Sequence, residues 1–299
     1  MAVSVADAAS VVGAAGPGGM LVTSRRLLRL WFFYGGLDIK WMLRDIGSFG
    51  IYAFSDVVNV VAAITAMLLI AERFDGVGPW SQTQITFLLG YAVMVQGALD
   101  TVFGYNIAFI SRRIGRGQLD HILVQPQPMW LTLVTEGFSP CAGLPIFLPG
   151  LGLLGWATVQ LDIQVTPVWL TLLLFNFLGS CLIVFAVSYV VGSLAFWAPR
   201  AAEEINSSSW RLISELRTFP LEGVAPFLLG GLLTAVPIGF VAWYPTRALL
   251  GLEPVAAAAF LTPLVSLVFS AIGLWVFRRG LAHYAHTGSQ RYLSYGHRR

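Results

Sequence analysis

Residues 168–197 read VWLTLLLFNFLGSCLIVFAVSYVVGSLAFW, an unbroken run without a single charged side chain. A helix rises about 1.5 Å per residue, so roughly 20 such residues cross the ~30 Å hydrocarbon core of a bilayer. The run does not alternate polar with apolar residues, as a strand of a transmembrane β-barrel would. Five more apolar stretches lie around it, at 51–71, 85–110, 129–157, 223–243 and 256–277. The chain therefore reads as an all-α integral membrane protein with six transmembrane helices. Composition agrees, with 57% hydrophobic and only 11% charged residues among 299 and a mean hydropathy of +0.74. A soluble domain carries about a quarter charged residues. Soluble enzymes, disordered chains and ordinary DNA-binding proteins are excluded. Cys141 and Cys181 both sit in apolar runs, so no disulfide framework is expected.

Charge sets the orientation. Of 18 basic residues, all but Arg73 and Arg247 fall on one side of the six-span arrangement. They comprise Arg25, Arg26, Arg29, Lys40 and Arg44 before the first span, and Arg112, Arg113 and Arg116 between spans two and three. Arg200, Arg211 and Arg217 lie between spans four and five, and the rest follow span six. The positive-inside rule then puts both termini in the cytoplasm. The net charge of +3 is orientation charge, and no nucleic-acid partner is expected.

Residues 1–23 are expected to form a disordered tail. They are rich in Ala, Val and Gly and lack the basic start of a signal peptide. Residues 24–47 mix basic residues with Trp31, Phe32, Phe33, Tyr34 and Trp41, the composition of a helix lying at the membrane interface. Residues 203–254 allow two arrangements. Either 223–243 is a kinked fifth span, or 203–219 crosses and 223–245 is a broken re-entrant hairpin. Hydropathy favours the first, because an arginine at a helix centre costs about 2.5–3.5 kcal/mol. Pro220, Pro226, Pro237, Pro245 and the Gly230-Gly231 pair favour the second.

The machinery of hydrolysis is missing. The one lysine, Lys40, follows Asp38-Ile39, so there is no Gly-Lys-Ser/Thr phosphate loop. His121, His283, His286 and His297 all lie in cytoplasmic segments, which leaves an intramembrane serine protease without its base. His283 and His286 lack a third close ligand, and no metal is expected. No internal repeat is evident.

Between spans two and three lies SRRIGRGQLDHILVQPQP, residues 111–128. Gly115 and Gly117 break the preceding helix. A short helix over 118–124 would put Leu119, Ile122 and Leu123 on one side, and Pro126 would stop it. A short apolar stripe with charged flanks suits docking into a groove on another protein, or packing on its own bundle. The run Arg116-Gly117-Gln118-Leu119-Asp120, continuing through Leu123 to Pro126, resembles permease subunits of bacterial ABC-type exporters of the six-helix type-2 class. So do Phe219-Pro220-Leu221, Val236-Pro237-Ile238, Trp243-Tyr244-Pro245 and the closing Arg279-Gly280-Leu281 with Tyr284 and Gly288. The likeness covers about residues 24–296.

That resemblance implies a permease domain over 24–299 in the bacterial cytoplasmic membrane, with no catalytic residue and no cofactor in this chain. ATP and Mg would belong to two copies of a separate ATP-binding subunit. A second permease, identical or different, would complete the pump. By the same resemblance 24–47 is the connecting helix, 111–128 holds the coupling helix with Arg116, Gly117, Gln118, Leu119, Asp120, Ile122 and Leu123, and 220–245 with Pro220, Pro237 and Pro245 is the re-entrant element.

Asp56, Asp100 and Glu136 fall inside spans one, two and three, roughly 5, 10 and 7 residues from the cytoplasmic ends, with Asp100 the deepest. Intramembrane acids face protein or water, not lipid. They line either a polar inner vestibule for a cationic or amphiphilic substrate, or bond to neighbours such as Asn59, Gln96 or Asn106. A proton-coupled secondary transporter using Asp100 or Glu136 as its relay, and a membrane scaffold, are the alternatives to an exporter subunit.

Overall fold

A computed structural model describes residues 17–73, 76–104, 110–124, 129–222 and 224–288. Helix α1 (Pro17–Arg44) starts ahead of the tail boundary expected at residue 23; residues 1–16 lie outside the described ones. One residue, Asp45, separates it from α2 (Ile46–Arg73). The Ser48 N–H donates to Asp45 Oδ1 at 3.0 Å, which caps α2 and holds this exposed carboxyl below its usual range. Helix α2 presents Ile51, Phe54, Val58 and Leu69 outward.

Helix α3 (Gln82–Val102) opens on a reciprocal cap between Ser81 and Gln84. It is the centre of the bundle, buried continuously from Ile85 to Val95. Its main neighbour is α7 (Pro140–Gln160). The two are antiparallel and nearly touch backbone to backbone: a Cβ on Gly97 would sit 2.2 Å from Phe147 N, and one on Gly150 2.4 Å from Met94 N. Small residues at such a seam are what let membrane helices pack closely.

The stretch 129–157, expected as one span, is two helices. Helix α6 (Met129–Thr135) ends in a turn at Glu136, and α7 begins at Pro140. The break has a physical cause. Asp38 of α1 reaches the start of α7, accepting from Ser139 Oγ (3.0 Å) and from the Cys141 N–H (2.8 Å), and Ser139 N–H donates to Thr101 O (2.8 Å). Pro140 at the first turn completes the start. Between α3 and α6 lie α4 (Ile110–Gly115) and α5 (Leu119–Leu123), joined through Gly117 at φ +69°, a conformation that favours glycine.

Helix α8 (Pro167–Gly192) runs on into a 3₁₀ turn, Ser193–Phe196. It lies parallel to the last helix, α12 (Val255–Thr287). Near their starts Asn176 Nδ2 donates to Ala258 O (2.9 Å), and near their ends Phe196 meets Tyr284 edge-on (5.8 Å). Two consecutive parallel helices require the chain between them to return across the bundle. Helix α9 (Pro199–Leu216) begins that return, starting at Arg112, whose Nε donates to Glu203 (2.7 Å). Arg217, counted with the cytoplasmic residues from sequence, instead lies against Gln96 within the bundle.

Next come α10 (Pro226–Thr234), a 3₁₀ turn (Ile238–Phe240) and α11 (Trp243–Leu249), bent by 70°. Glu222, before α10, accepts from Trp243 Nε1 (2.6 Å) and from Arg247, both in α11. The segment therefore goes in and comes back to the same end. Its tip is buried, where Ser180 Oγ reaches Phe240 O (3.2 Å) and Tyr91 Oη (2.9 Å). Pro220, Pro237 and Pro245 are all buried in this loop. Among the described residues five helices (α2, α3, α7, α8 with its turn, and α12) are long and apolar enough to cross a bilayer, or six if the bent pair counts as one.

Arg247 also donates to Glu253 (2.7 Å), so one guanidinium ties both feet of the bent pair to the start of α12. Charged hydrogen bonds contribute about 1.5–3 kcal/mol each. Arg247→Ala is expected to lower the unfolding temperature in detergent by several degrees, while Arg73→Ala, at an exposed position, leaves it unchanged.

Candidate functional site

One cavity of about 680 Å³ gathers the acids that sequence placed in separate spans. Asp56 of α2, Asp100 of α3 and Glu136 of the α6–α7 turn all line it, with Asp38 of α1 as a fourth carboxylate. Tyr34, Trp41 and Ser139 add polar groups to its wall, and Phe138 an apolar ring. Burial, with the Glu136 carboxylate nearby, pushes the Tyr34 phenol above its ordinary value.

The placements differ from expectation. Glu136 is outside any span, and its carboxylate pairs with Arg113 at 3.0 Å, an arginine from α4. Asp100 stands in the last turn of α3, since that helix ends at Val102, rather than mid-span. Asp56 lies ten residues into α2 because that helix begins at Ile46, which is about 15 Å of rise. Asp100 is held by Gln96 Nε2 at 2.5 Å, one turn away on the same helix. Gln96 in turn accepts from Arg217, so a polar chain runs from the cavity to the segment after α9. Of the other two neighbours expected, Asn59 is exposed on α2 and Asn106 lies outside the described residues.

Sequence reasoning missed Asp38, because a carboxylate in an amphipathic helix carries no mark of a partner 101 residues away. It missed Arg217 because the count by loops took no account of where the chain turns. A serine-proline pair after Glu136-Gly137 was a visible signal for the break before α7.

The second region of interest is the end of the bundle at α4 and α5. Leu119 is fully buried and Ile122 nearly so, in a cluster with Ile110, Met129, Phe196 and Phe277. Asp120 accepts from the Tyr284 hydroxyl of α12. The stripe expected to dock outward is thus split. Leu119 and Ile122 face their own bundle, while Leu123 (42% exposed) and Val124 (82% exposed) face away. Gly117 is buried at the turn, and Arg116, Gln118 and His121 are exposed around it. Residues 125–128, with Pro126, lie outside the described ones.

The family described as ABC-2 family transporter protein matches residues 57–288, most of the chain. The chain belongs to the ABC-2 transporter family. No curated protein and no solved structure matches it. The chain is accordingly a multi-pass permease component of an ABC transporter, and the family implies an ATP-binding partner. The matched part of the permease holds Asp100, Glu136, Arg217 and the whole of α4 and α5, whereas Asp38 and Asp56 precede it. Among the described residues of the permease no group of three or more His, Cys, Asp or Glu is arranged to hold a metal.

Proposed function

We propose that the permease is the translocating subunit of an ATP-driven exporter, and that the cavity of Asp38, Asp56, Asp100 and Glu136 is its inner vestibule for a cationic or amphiphilic substrate. The observation that carries this reading is the convergence of four carboxylates from four segments on one cavity. Among the described residues only one of them, Glu136, forms an ion pair with an arginine, Arg113. Carboxylates gathered on one cavity without a full counter-charge attract cations.

In this reading both termini are cytoplasmic, as the arginine distribution requires, and α1 lies at the inner interface of a bacterial cytoplasmic membrane. The bent segment 226–249 is re-entrant from the outer side, while α9 and the residues after it make the fifth crossing. Helix α9 leaves Glu204, Arg211 and Glu215 exposed. Such charges do not face lipid, which supports a second permease, identical or different, against that face. Two copies of a separate ATP-binding subunit, holding ATP and Mg, supply the energy.

Docking of that subunit falls to the exposed residues Arg116, Gln118, His121, Leu123 and Val124, with Leu119, Ile122 and Asp120 anchoring the loop in the bundle. Leu123→Ser with Val124→Ser is expected to reduce ATPase copurification about thirtyfold or more, as for lost interface anchors, and to stop ATP-driven transport in proteoliposomes without changing the permease's own stability. Leu119→Ala acts differently, costing about 2–5 kcal/mol of stability as a cavity in a packed core. Retention of the ATPase by the double variant would place docking elsewhere. Transport driven by a proton gradient without ATP would give the chain to the secondary-transporter class instead.

A further inference from the structure

An apolar groove of about 330 Å³ runs between α6, α8 and α12 and shares no lining residue with the acidic cavity. Leu182, Phe185, Ala186, Leu274 and Phe277 form its walls, and its lining is almost wholly apolar. Arg278 is the one charged residue on that lining. It is exposed, and no carboxylate lies within ion-pair distance of it among the described residues. Next to it the Arg279 guanidinium sits over the exposed ring of Trp275 at 5.7 Å. Tryptophan and arginine together mark the headgroup level of a bilayer. The groove then extends along α12 from Leu281 past Arg278 to Ser270, about 16 Å of helix rise. The part below Arg278, about 12 Å of rise, lies within the roughly 15 Å depth of one leaflet.

We propose that this groove seats a phospholipid of the leaflet on the α4–α5 side, with an acyl chain between α8 and α12 and an anionic headgroup on Arg278. Three features select a lipid over other occupants. The groove lies between α8 and α12, both long and apolar enough to cross a bilayer, its depth below Arg278 fits within one leaflet, and its single charge stands at the headgroup level. The positive sign of that charge selects an anionic head. Tyr189 and Phe277 belong both to this groove and to the cluster that holds Leu119 and Ile122. An occupied groove therefore braces the wall on which the α5 loop is packed.

The test uses the full-length chain, delipidated in mild detergent and titrated with phosphatidylglycerol or phosphatidylcholine under native mass spectrometry. The wild-type chain should hold phosphatidylglycerol more tightly. Arg278→Gln, at a position with no ion pair among the described residues, should weaken that lipid about fivefold, the effect of one basic residue at an anionic surface, and leave phosphatidylcholine unchanged. Leu274→Trp, filling the groove from an exposed position, should weaken both. Equal binding of the two lipids that Arg278→Gln does not alter overturns the headgroup assignment, and binding indifferent to Leu274→Trp overturns the seat. Displacement of phosphatidylglycerol by a transported substrate would make the groove part of the transport path instead.

Discussion

Gly97→Leu is expected to remove the folded permease almost entirely from detergent extracts. A Cβ at this position falls 2.2 Å from the Phe147 nitrogen and 2.4 Å from its Cα, and backbone cannot swing aside as a side chain can. Overpacking a core costs about 1–3 kcal/mol where side chains absorb it. Here two central helices would have to separate, so the cost exceeds that range. The same contact recurs along the seam: Gly90 on Leu154, Gly143 on Thr101 and Gly150 on Met94. Each pair of glycines on one helix is seven residues apart, so all four stay on the facing sides of α3 and α7. Gly152→Ala is the control, since nothing lies within 4 Å of its added carbon. Fluorescence-detected size exclusion should show a monodisperse Gly152→Ala protein and little or no Gly97→Leu protein. Normal yield of the Gly97 variant would mean that the α3–α7 seam is not as close as described.

Asp100→Asn should abolish most transport while leaving the permease folded. The amide keeps a carbonyl oxygen for Gln96 Nε2, so the bond at 2.5 Å survives in neutral form and the helix is undisturbed. What is lost is the negative charge in the cavity. A charged hydrogen bond contributes about 1.5–3 kcal/mol against about 1 for a neutral one, and a cationic substrate loses its attraction to this wall as well. Transport of a cation in proteoliposomes is expected to fall about tenfold, with stability within about 2 kcal/mol of wild type. Arg217→Leu should separate the two roles of the polar chain. It leaves Asp100 and Gln96 in place but removes the cation beyond them, so stability falls more than substrate affinity. Full transport by the Asp100 variant would exclude the cavity as the substrate path, and loss of the folded protein would make the carboxylate a structural partner.

The membrane class, the helical architecture and most of the spans were determined by the sequence alone, because they depend on hydrocarbon length. Residues 168–197 must cross a bilayer whatever else the chain does, and so must 256–277. The family resemblance at Arg116–Asp120 was likewise legible, since glycine and proline punctuation is local chemistry. Tertiary structure alone decided where helices stop and which faces meet. Glu136 lies within an apolar run by count, yet Asp38 caps α7 at Cys141 from a distant helix and leaves the acid in a turn. Leu119, Ile122 and Leu123 carry the same apolar signal, but only packing in the cluster that holds Phe196 and Phe277 makes the first two core and leaves the third exposed. Hydropathy favoured 223–243 as a crossing; Glu222, gripping Trp243 and Arg247, brings that segment back to the end where it entered. Burial free energy is additive along a chain and so readable from its order, whereas ion pairs and caps join residues whose separation only the fold removes.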